Sequence, residues 1–302
     1  MSNAFWRKIG VLVVAVSLLL VAVGCGSSEG KSQKSTTSEI TELRVSFIPT
    51  ESAEEVLERY QGIIDYLSEE LDMKVKPYVA TDYTGVIEAM RSQKVDVAWY
   101  GPFSYILAAK EAGAEAFVSP IGEDGKDIYY SYFITYKGSG IDSLDDLKGK
   151  SFAFGDPAST SGHLIPRYYL TKAGLNPEED MTVQFSGGHD ATALAVKNKK
   201  VDAGAMASEV YERMKKKGLI DPDMVVIFKK SDPLPLDPWA YRSDLPRELK
   251  DRIKEALLTI EEKAPEALEG TGFIKFKAVD DSRYDVIRDV AKTLNLDLEK
   301  LK

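Results

Sequence analysis

Three consecutive hydroxyl residues, Ser159, Thr160 and Ser161, form the stretch of this chain best suited to bind an anion. They follow an apolar run, 151–154, and a Gly-Asp-Pro turn, and they precede a segment, 164–172, whose pattern predicts a helix. The first turn of a helix carries unpaired N–H groups and the positive end of the helix dipole, so hydroxyl donors placed there favour a tetrahedral oxyanion. An ordinary N-cap would explain one such residue without a ligand. For three in a row, anion binding and capping are equal alternatives.

The segments around this stretch alternate between strand-like and helix-like patterns. A first set of strand-like runs, each followed by a helical pattern, lies at 43–48, 75–79 and 95–100, and a second set lies at 151–154, 181–185, 201–206 and 224–228. This alternation predicts α/β units with mostly parallel sheets. The aromatic run at 129–136 predicts a strand that crosses between two lobes, and 239–241 predicts the return strand. Beyond Pro246 we expect a largely helical remainder.

A short internal repeat links the two sets. Lys94-Val95-Asp96 recurs as Lys200-Val201-Asp202, and the same shift of 106 residues places Tyr83 on His189. If the repeat is structural, each lobe presents a helix N-terminus to a shared cleft, with Tyr83 on one side and His189 on the other. Two ordinary βαβ units that match by chance are the alternative, in which His189 is a capping or buried structural residue.

The charge balance disfavours a nucleic-acid partner. The 302 residues carry a formal charge of −9, and removal of residues 1–24 would delete Arg7 and Lys8 and lower it to −11. Binding to a phosphate backbone needs a basic face. An acidic protein that binds an anion must therefore use a local cluster of donors.

Residues 1–24 have the layout of a signal peptide, because Arg7 and Lys8 precede an apolar run and small residues end at Cys25. Cys25 is the only cysteine, so no intramolecular disulfide forms. Its position after Gly24 resembles a bacterial lipoprotein site, although Ala22 replaces the usual large aliphatic residue. We expect lipid on Cys25 and a flexible tether at 25–41. A secreted protein with a free thiol is the alternative.

Further motifs occur in a fixed order along the chain. They are Asp82-Tyr83-Thr84-Gly85, the run 94–101, Tyr129-Tyr130-Ser131, the run 155–162, Gly188-His189, Glu209 and Asp237-Pro238. Over residues 42–280 the chain resembles the phosphonate-binding proteins of ABC transporters, a phosphate/phosphite/phosphonate substrate-binding lipoprotein family. The resemblance implies an α/β, two-lobed type II periplasmic binding fold. Lobe 1 would comprise 42–134 with 242–302 and lobe 2 would comprise 135–241, joined by two crossover strands.

The resemblance also implies roles for individual residues. Those that would hold the phosphonate oxygens are Ser159, Thr160, Ser161, Tyr83 and His189, while Tyr129 would line the site. Glu209 and Asp237 would receive a ligand amino group. From its place in the loop after a predicted strand, Tyr100 is expected to form a wall of the cleft.

The function implied by the resemblance is capture and delivery. A lipid-tethered, monomeric receptor outside the cytoplasmic membrane would close on a phosphonate, with 2-aminoethylphosphonate as first choice, and pass it to an ABC permease without catalysis, metal or cofactor. The same fold could instead bind phosphite, phosphate or a phosphorylated metabolite. A hydrolase that uses His189 with Ser159 or Ser161 is less favoured, because two His and one Cys supply no metal cluster and Asp190 is the one carboxylate next to His189.

Overall fold

The computed structural model describes residues 40–294, so the predicted signal peptide, the predicted lipidation site and most of the predicted tether lie outside the described residues. Within 40–294, the strands form two main sheets and one short ladder. With strands numbered along the chain, the first sheet has the order β13 (Phe273–Ala278), β4 (Ala114–Gly122), β12 (Trp239–Arg242), β3 (Val97–Trp99), β1 (Glu42–Phe47) and β2 (Lys74–Val79). The second has the order β10 (Val225–Lys230), β6 (Ser131–Tyr136), β9 (Ala203–Ala207), β7 (Ser151–Phe154) and β8 (Thr182–Phe185).

The α-helices of the described residues are α1 (Ala53–Glu70), α2 (Tyr83–Arg91), α3 (Pro102–Ala112), α4 (Ile165–Lys172), α5 (Pro177–Asp180), α6 (His189–Lys197), α7 (Ser208–Lys216), α8 (Arg247–Leu258), α9 (Ile260–Lys263) and α10 (Asp285–Thr293). Side-chain caps mark the starts of α1, α2 and α5 among them. Ser52 caps α1 by accepting a hydrogen bond from the Glu55 N–H, and Asp82 caps α2 by accepting from the Gly85 N–H at 2.7 Å. The buried face of α1 matches the 3.6-residue period in the sequence.

The α/β fold with two sheets flanked by helices is confirmed, but each sheet is mixed rather than mostly parallel. In the first sheet β1 is parallel to β2 and β3, whereas β12 runs antiparallel to both β3 and β4. In the second, β7 is parallel to β8 and β9, whereas β6 runs antiparallel to β9 and β10. β6 and β12 each enter their sheet directly from the other sheet. They run antiparallel to their neighbours because a parallel pairing would need a longer crossover connection, usually a helix.

The chain crosses between the sheets through a short ladder. β5 (Ile128–Tyr129) pairs antiparallel with β11 (Leu234–Pro235). The predicted single strand at 129–136 is therefore interrupted at Tyr130, and β6 lies wholly in the second sheet. β12 likewise lies wholly in the first. The lobe boundaries at 134/135 and 241/242 stay a prediction, but the sheets themselves change several residues earlier, at β5–β6 and β11–β12.

Two strands of the first sheet were not predicted. β4 carries Pro120 in its interior, and β13 lies in the remainder that was expected to be helical. β13 is an edge strand, where alternating Lys residues are tolerated because one side of the ladder is unpaired. These strands widen the first sheet to six, so it extends well past the βαβ core that the sequence pattern predicts.

The internal repeat is a structural one. Asp96 precedes β3 and accepts a hydrogen bond from the N–H of Arg44 in β1, and Asp202 precedes β9 and accepts one from the N–H of Ser151 in β7. The residue before each Lys-Val-Asp motif, Gln93 or Lys199, has a positive φ. The repeat therefore sets α2 and α6 in equivalent positions, each with its N-terminus towards the other sheet. Among residues 40–294, no helix is long and apolar enough to cross a membrane.

Candidate functional site

The hydroxyl stretch opens a π-helical turn, Thr160–Leu164, that leads into α4. Ser159 is its N-cap, with its Oγ accepting from the Gly162 N–H at 3.0 Å, and the Leu164 N–H donates to the Ser159 carbonyl at 3.0 Å. Single π-turns are frequent at functional sites, since the extra residue re-aims neighbouring side chains. Here Thr160 and Ser161, both about 2% exposed, line a cavity of about 40 Å³ between the two sheets.

Gly162 is required by close packing. A Cβ at this position would lie 2.9 Å from Ser159 Oγ and 3.1 Å from both Gly155 Cα and His189 Cε1. The Gly155 N–H also donates to the Gly162 carbonyl at 2.8 Å, which fixes the turn against the end of β7. The absence of a side chain at Gly162 therefore lets the His189 ring lie directly against the π-helical turn.

His189 is the first residue of α6, and its ring lines the same cavity. Burial lowers its pKa to about 4, so the ring is neutral at neutral pH. Its Nδ1 accepts a hydrogen bond from the Ala207 N–H at 3.4 Å, which leaves the proton on Nε2. His189 thus supplies a neutral N–H donor to the cavity without charging it.

Two tyrosine hydroxyls complete the donor end of the cavity. Burial raises the pKa of Tyr83 well above its usual value, and the carboxylates of Asp156 and Asp237 raise it further. Burial also raises the pKa of Tyr129, with added repulsion from Asp237 and Glu209. Both hydroxyls remain protonated and can donate to an anion.

Two carboxyl groups line the cavity as well. Glu209 is the second residue of α7, and Asp237 lies two residues after β11. Burial raises the pKa of Glu209 to about 7. Burial and repulsion from Glu209 raise the pKa of Asp237 well above its usual range, although Arg213 opposes this. The two acids are therefore held in a site where ionising both is costly unless a cation joins them.

Direct contacts join the two sheets around the cavity. The Thr160 Oγ1 accepts from the Phe103 N–H of α3 at 2.8 Å, and an Asp156 carboxylate oxygen accepts from the Tyr83 N–H of α2 at 3.2 Å. In the other direction, the His189 N–H of α6 donates to the Thr50 carbonyl at 2.9 Å. Each of these helix N-termini is thus satisfied by a polar atom from the opposite side of the cleft.

A family model described as the periplasmic substrate-binding protein of ABC phosphonate transporters matches residues 45–284. The chain belongs to this family. It is 34% identical to the phosphonates-binding periplasmic protein of Escherichia coli over 257 residues, which cover 82% of this chain and 75% of that protein. It is 33% identical to the phosphate-import protein PhnD of Mycolicibacterium smegmatis over 259 residues, or 81% of this chain and 79% of that one.

The fold agrees with the family as well. A solved binding protein component of an ABC phosphonate transporter from Pseudomonas aeruginosa superposes with a TM-score of 0.80 and 30% identity, covering 84% of this chain and 86% of that chain. The two-lobed type II periplasmic binding fold is thereby confirmed. Members of the family are periplasmic substrate-binding proteins of ABC importers.

Within this family member, most of the residues implied by the resemblance meet at one cavity. Those that line it are Tyr83, Tyr129, Thr160, Ser161, His189, Glu209 and Asp237. Ser159 is not among the lining residues, because its Oγ is engaged in capping the π-turn. Its contribution is to fix the position of the two hydroxyls that follow.

The prediction that Tyr100 walls the cleft is wrong. Its side chain is fully buried, and its hydroxyl points to the Val86 carbonyl and to Met90 Sδ on α2, at 3.4 and 3.6 Å. The neighbouring Trp99 lines the cavity instead. Successive side chains at the end of a strand point to opposite faces, so a one-residue difference exchanges a wall residue for a core residue.

A buried ion cluster at the cavity was missed by the sequence reasoning. Arg213 lines the cavity and donates to a Glu51 carboxylate oxygen at 2.7 Å, and Arg59 donates to the same oxygen. The Glu51 side chain is about 1% exposed, and although burial acts to raise its pKa, Arg213 and Arg59 hold it below the usual value. The cluster joins α7 of one sheet to α1 of the other. In the sequence, the one feature that placed Arg213 near the predicted site is its position one helical turn after Glu209.

The described residues offer no metal site. Within 40–294, no three side chains among His, Cys, Asp and Glu are grouped so that they could hold a metal ion. The side chains that line the cavity include hydroxyl and imidazole donors, the two carboxyl groups and the Arg213 guanidinium.

Proposed function

We propose that this protein captures a phosphonate that carries an amino group, with 2-aminoethylphosphonate as the best candidate, and delivers it to its ABC permease. The observation that carries the proposal is the two-ended chemistry of one small cavity. Neutral donors from Tyr83, Thr160, Ser161 and His189 form one end, and Glu209 and Asp237 lie in the same cavity. A ligand with an anionic and a cationic group satisfies both ends.

The donor end suits a phosphonate although no Lys or Arg side chain is among its donors. Arg213, which also lines the cavity, is paired with Glu51. Hydroxyl and imidazole N–H groups can each donate to an oxygen of the dianion, and the first turn of a helix adds positive potential. Several such donors lie close together because the π-helical turn, α2 and α6 each begin with a residue that lines the cavity.

The acid pair favours a zwitterion over a simple anion. A dianion placed about 4 Å from a carboxylate is repelled by about 4 kcal/mol per charge pair at an effective dielectric of 20. An ammonium group between Glu209 and Asp237 replaces that repulsion with attraction. It would also lower both raised pKa values, so binding near neutral pH should release protons from Glu209.

The cavity volume favours a compact ligand. About 40 Å³ is room for roughly three water molecules. A two-carbon aminophosphonate has seven non-hydrogen atoms, so it fits only if side chains around the cavity adjust. A nucleotide or a sugar phosphate is far larger, which disfavours the larger phosphorylated metabolites.

The experiment that tests the proposal compares two ligands on three proteins by titration calorimetry. Wild type should bind 2-aminoethylphosphonate more tightly than methylphosphonate. Glu209→Gln and Asp237→Asn should each weaken the aminophosphonate by about one to two orders of magnitude, since a hydrogen bond to a charged group is worth about 1.5–3 kcal/mol. The same variants should leave methylphosphonate unchanged or tighter. Equal affinity of wild type for both ligands would contradict the amine-binding role of the pair.

Phosphate or phosphite is the second candidate ligand class. A relative of similar identity is named a phosphate-import protein, so the family spans more than one phosphorus oxyanion. These ions would use the donor end alone and would leave the two acids protonated. Tighter binding of phosphate or phosphite than of the aminophosphonate in the same calorimetric series would select this candidate.

We further propose that the protein acts as a monomer held at the outer face of the cytoplasmic membrane by lipid on Cys25. The basis is the sequence alone, where a signal-peptide pattern ends in Gly24-Cys25. Two acyl chains anchor a protein stably where one anchors only marginally. Cys25→Ser should move the protein from the membrane to the soluble fraction. Recovery of the wild type in the soluble fraction would contradict the anchor.

A further inference from the structure

A second and larger cavity, of about 590 Å³, adjoins the first and shares lining residues with it. We call the two the inner and outer cavities. The side chains that line both are Tyr129, Glu209, Arg213, Leu236 and Phe273. These shared side chains therefore form the boundary between the two spaces, which we call the neck.

The two ends of the inner cavity differ in their relation to this neck. Of the donor residues, Tyr83, Thr160, Ser161 and His189 line the inner cavity and not the outer one, whereas Tyr129 lines both. Glu209, which we propose takes the ligand amine, lines both. Most of the donor residues thus lie away from the outer cavity, while one of the two acids, Glu209, lies at the neck.

The neck is built on a backbone with local irregularities. Phe273 begins β13, directly after Gly272, whose φ of 82° is readily adopted by glycine alone. The pairing of β13 with β4 shifts register between Phe273 and Lys275, as in a β-bulge. The Phe273 side chain is half-buried, and its ring packs against the buried rings of Tyr60 and Phe276 at centroid distances of 6.4 and 6.2 Å.

Beyond the neck, the outer cavity has an amphipathic lining. The half-buried rings of Tyr130 and Tyr132 lie on it together with the exposed side chains of Glu212 and Lys216. Aromatic faces and long side chains can pack against an alkyl or aryl group while their polar ends remain in water. This surface suits a modest organic substituent.

We propose that the outer cavity is a subsite for a substituent on the ligand nitrogen, so that the protein accepts N-alkylated aminoalkylphosphonates as well as the primary amine. This inference rests on the proposed function. A secondary ammonium keeps two N–H donors, one for Glu209 and one for Asp237, and its alkyl group leaves through the neck. The same group placed on the carbon next to phosphorus would lie nearer to Tyr83, Thr160, Ser161 and His189, which line the inner cavity alone.

The first test is a calorimetric series on the full-length protein. N-ethyl-2-aminoethylphosphonate should bind within about threefold of 2-aminoethylphosphonate, whereas the analogue methylated on the carbon next to phosphorus should lose about tenfold or more. If N-ethylation weakens binding as much as that methylation, the subsite is overturned. Failure of 2-aminoethylphosphonate itself to bind would contradict the proposed function and this inference together.

A variant outside the inner cavity supplies the second test. Glu212 is exposed and lines the outer cavity alone, so Glu212→Trp alters the subsite, and Glu212→Ala is the matched control. The tryptophan should change the affinity for N-benzyl-2-aminoethylphosphonate, relative to 2-aminoethylphosphonate, by about fivefold or more. The alanine should leave that ratio near the wild-type value. An unchanged ratio in the tryptophan variant would overturn the placement of the substituent.

Discussion

Replacement of Thr160 by valine separates two roles of one hydroxyl group. Its Oγ1 accepts a hydrogen bond of 2.8 Å from the Phe103 N–H at the start of α3, where the N-cap Gly101 offers no side-chain acceptor. It also lines the inner cavity, where we propose that it donates to the phosphonate. Valine keeps the size of the side chain and removes both hydrogen bonds, whereas serine keeps both and is the matched control.

The two losses add in the ligand-bound protein. Leaving the buried Phe103 N–H unpaired costs about 1–3 kcal/mol, and losing a hydrogen bond to the charged phosphonate costs about 1.5–3 kcal/mol. Together they weaken binding by about two to four orders of magnitude. If the lobes separate when no ligand is bound, water satisfies the Phe103 N–H in the free protein. The unpaired Phe103 N–H then makes the free energy of ligand binding less favourable and leaves the free energy of unfolding of the free protein unchanged.

Titration with methylphosphonate and thermal unfolding without ligand measure the two costs. The valine variant should lose most of its affinity at a nearly unchanged melting temperature, and the serine variant should stay within about threefold of wild-type affinity. Wild-type affinity in the valine variant would refute the placement of Thr160 in the site. A melting temperature that falls steeply while the affinity changes little would refute lobe separation in the free protein.

Two further predictions concern the loop around Thr160. Burial raises the pKa of Asp156 from 3.8 to about 6, so the folded protein binds more protons than the unfolded chain between these values and its stability falls as the pH rises through them, by about 3 kcal/mol in total. Asp156→Asn should remove this part of the pH dependence in urea unfolding, and an unchanged slope would show that Asp156 does not titrate there. Gly162→Ala would place a Cβ 3.1 Å from His189 Cε1, and because overpacking typically costs about 1–3 kcal/mol, phosphonate affinity should fall by about tenfold or more. Wild-type affinity in that variant, measured by calorimetry, would show that the loop can shift without cost.

The sequence predicts the helices and the central strands well because local signals specify them. Ser52 and Asp82 are capping residues, and the apolar stripe of α1 repeats at the helical period. β13 was missed because its alternating Ile, Lys and Phe residues follow the amphipathic pattern of α8. β4 was missed because Pro120 and its alanines are atypical of a strand, and only pairing with β12 and β13 holds it in the sheet.

The site was predicted where a motif fixes the backbone and missed where tertiary packing decides. Thr160 and Ser161 follow from turn and cap signals and His189 from the internal repeat and the family resemblance, and the side chains of all three line one cavity. Arg213 lies among lysines near the end of α7, so its sequence context is that of a solvated helix end. Its contact with Glu51, which precedes α1, depends on how the two sheets pack together. The local sequence pattern around Arg213 does not predict that packing.

A crystal structure of the protein with 2-aminoethylphosphonate tests the central claim most directly. The phosphonate oxygens should lie within hydrogen-bond distance of Thr160, Ser161 and His189. The ammonium nitrogen should lie between Glu209 and Asp237, about 2.7–3.0 Å from a carboxylate oxygen of each. A ligand bound in the reverse orientation, or with its nitrogen away from both acids, would contradict it.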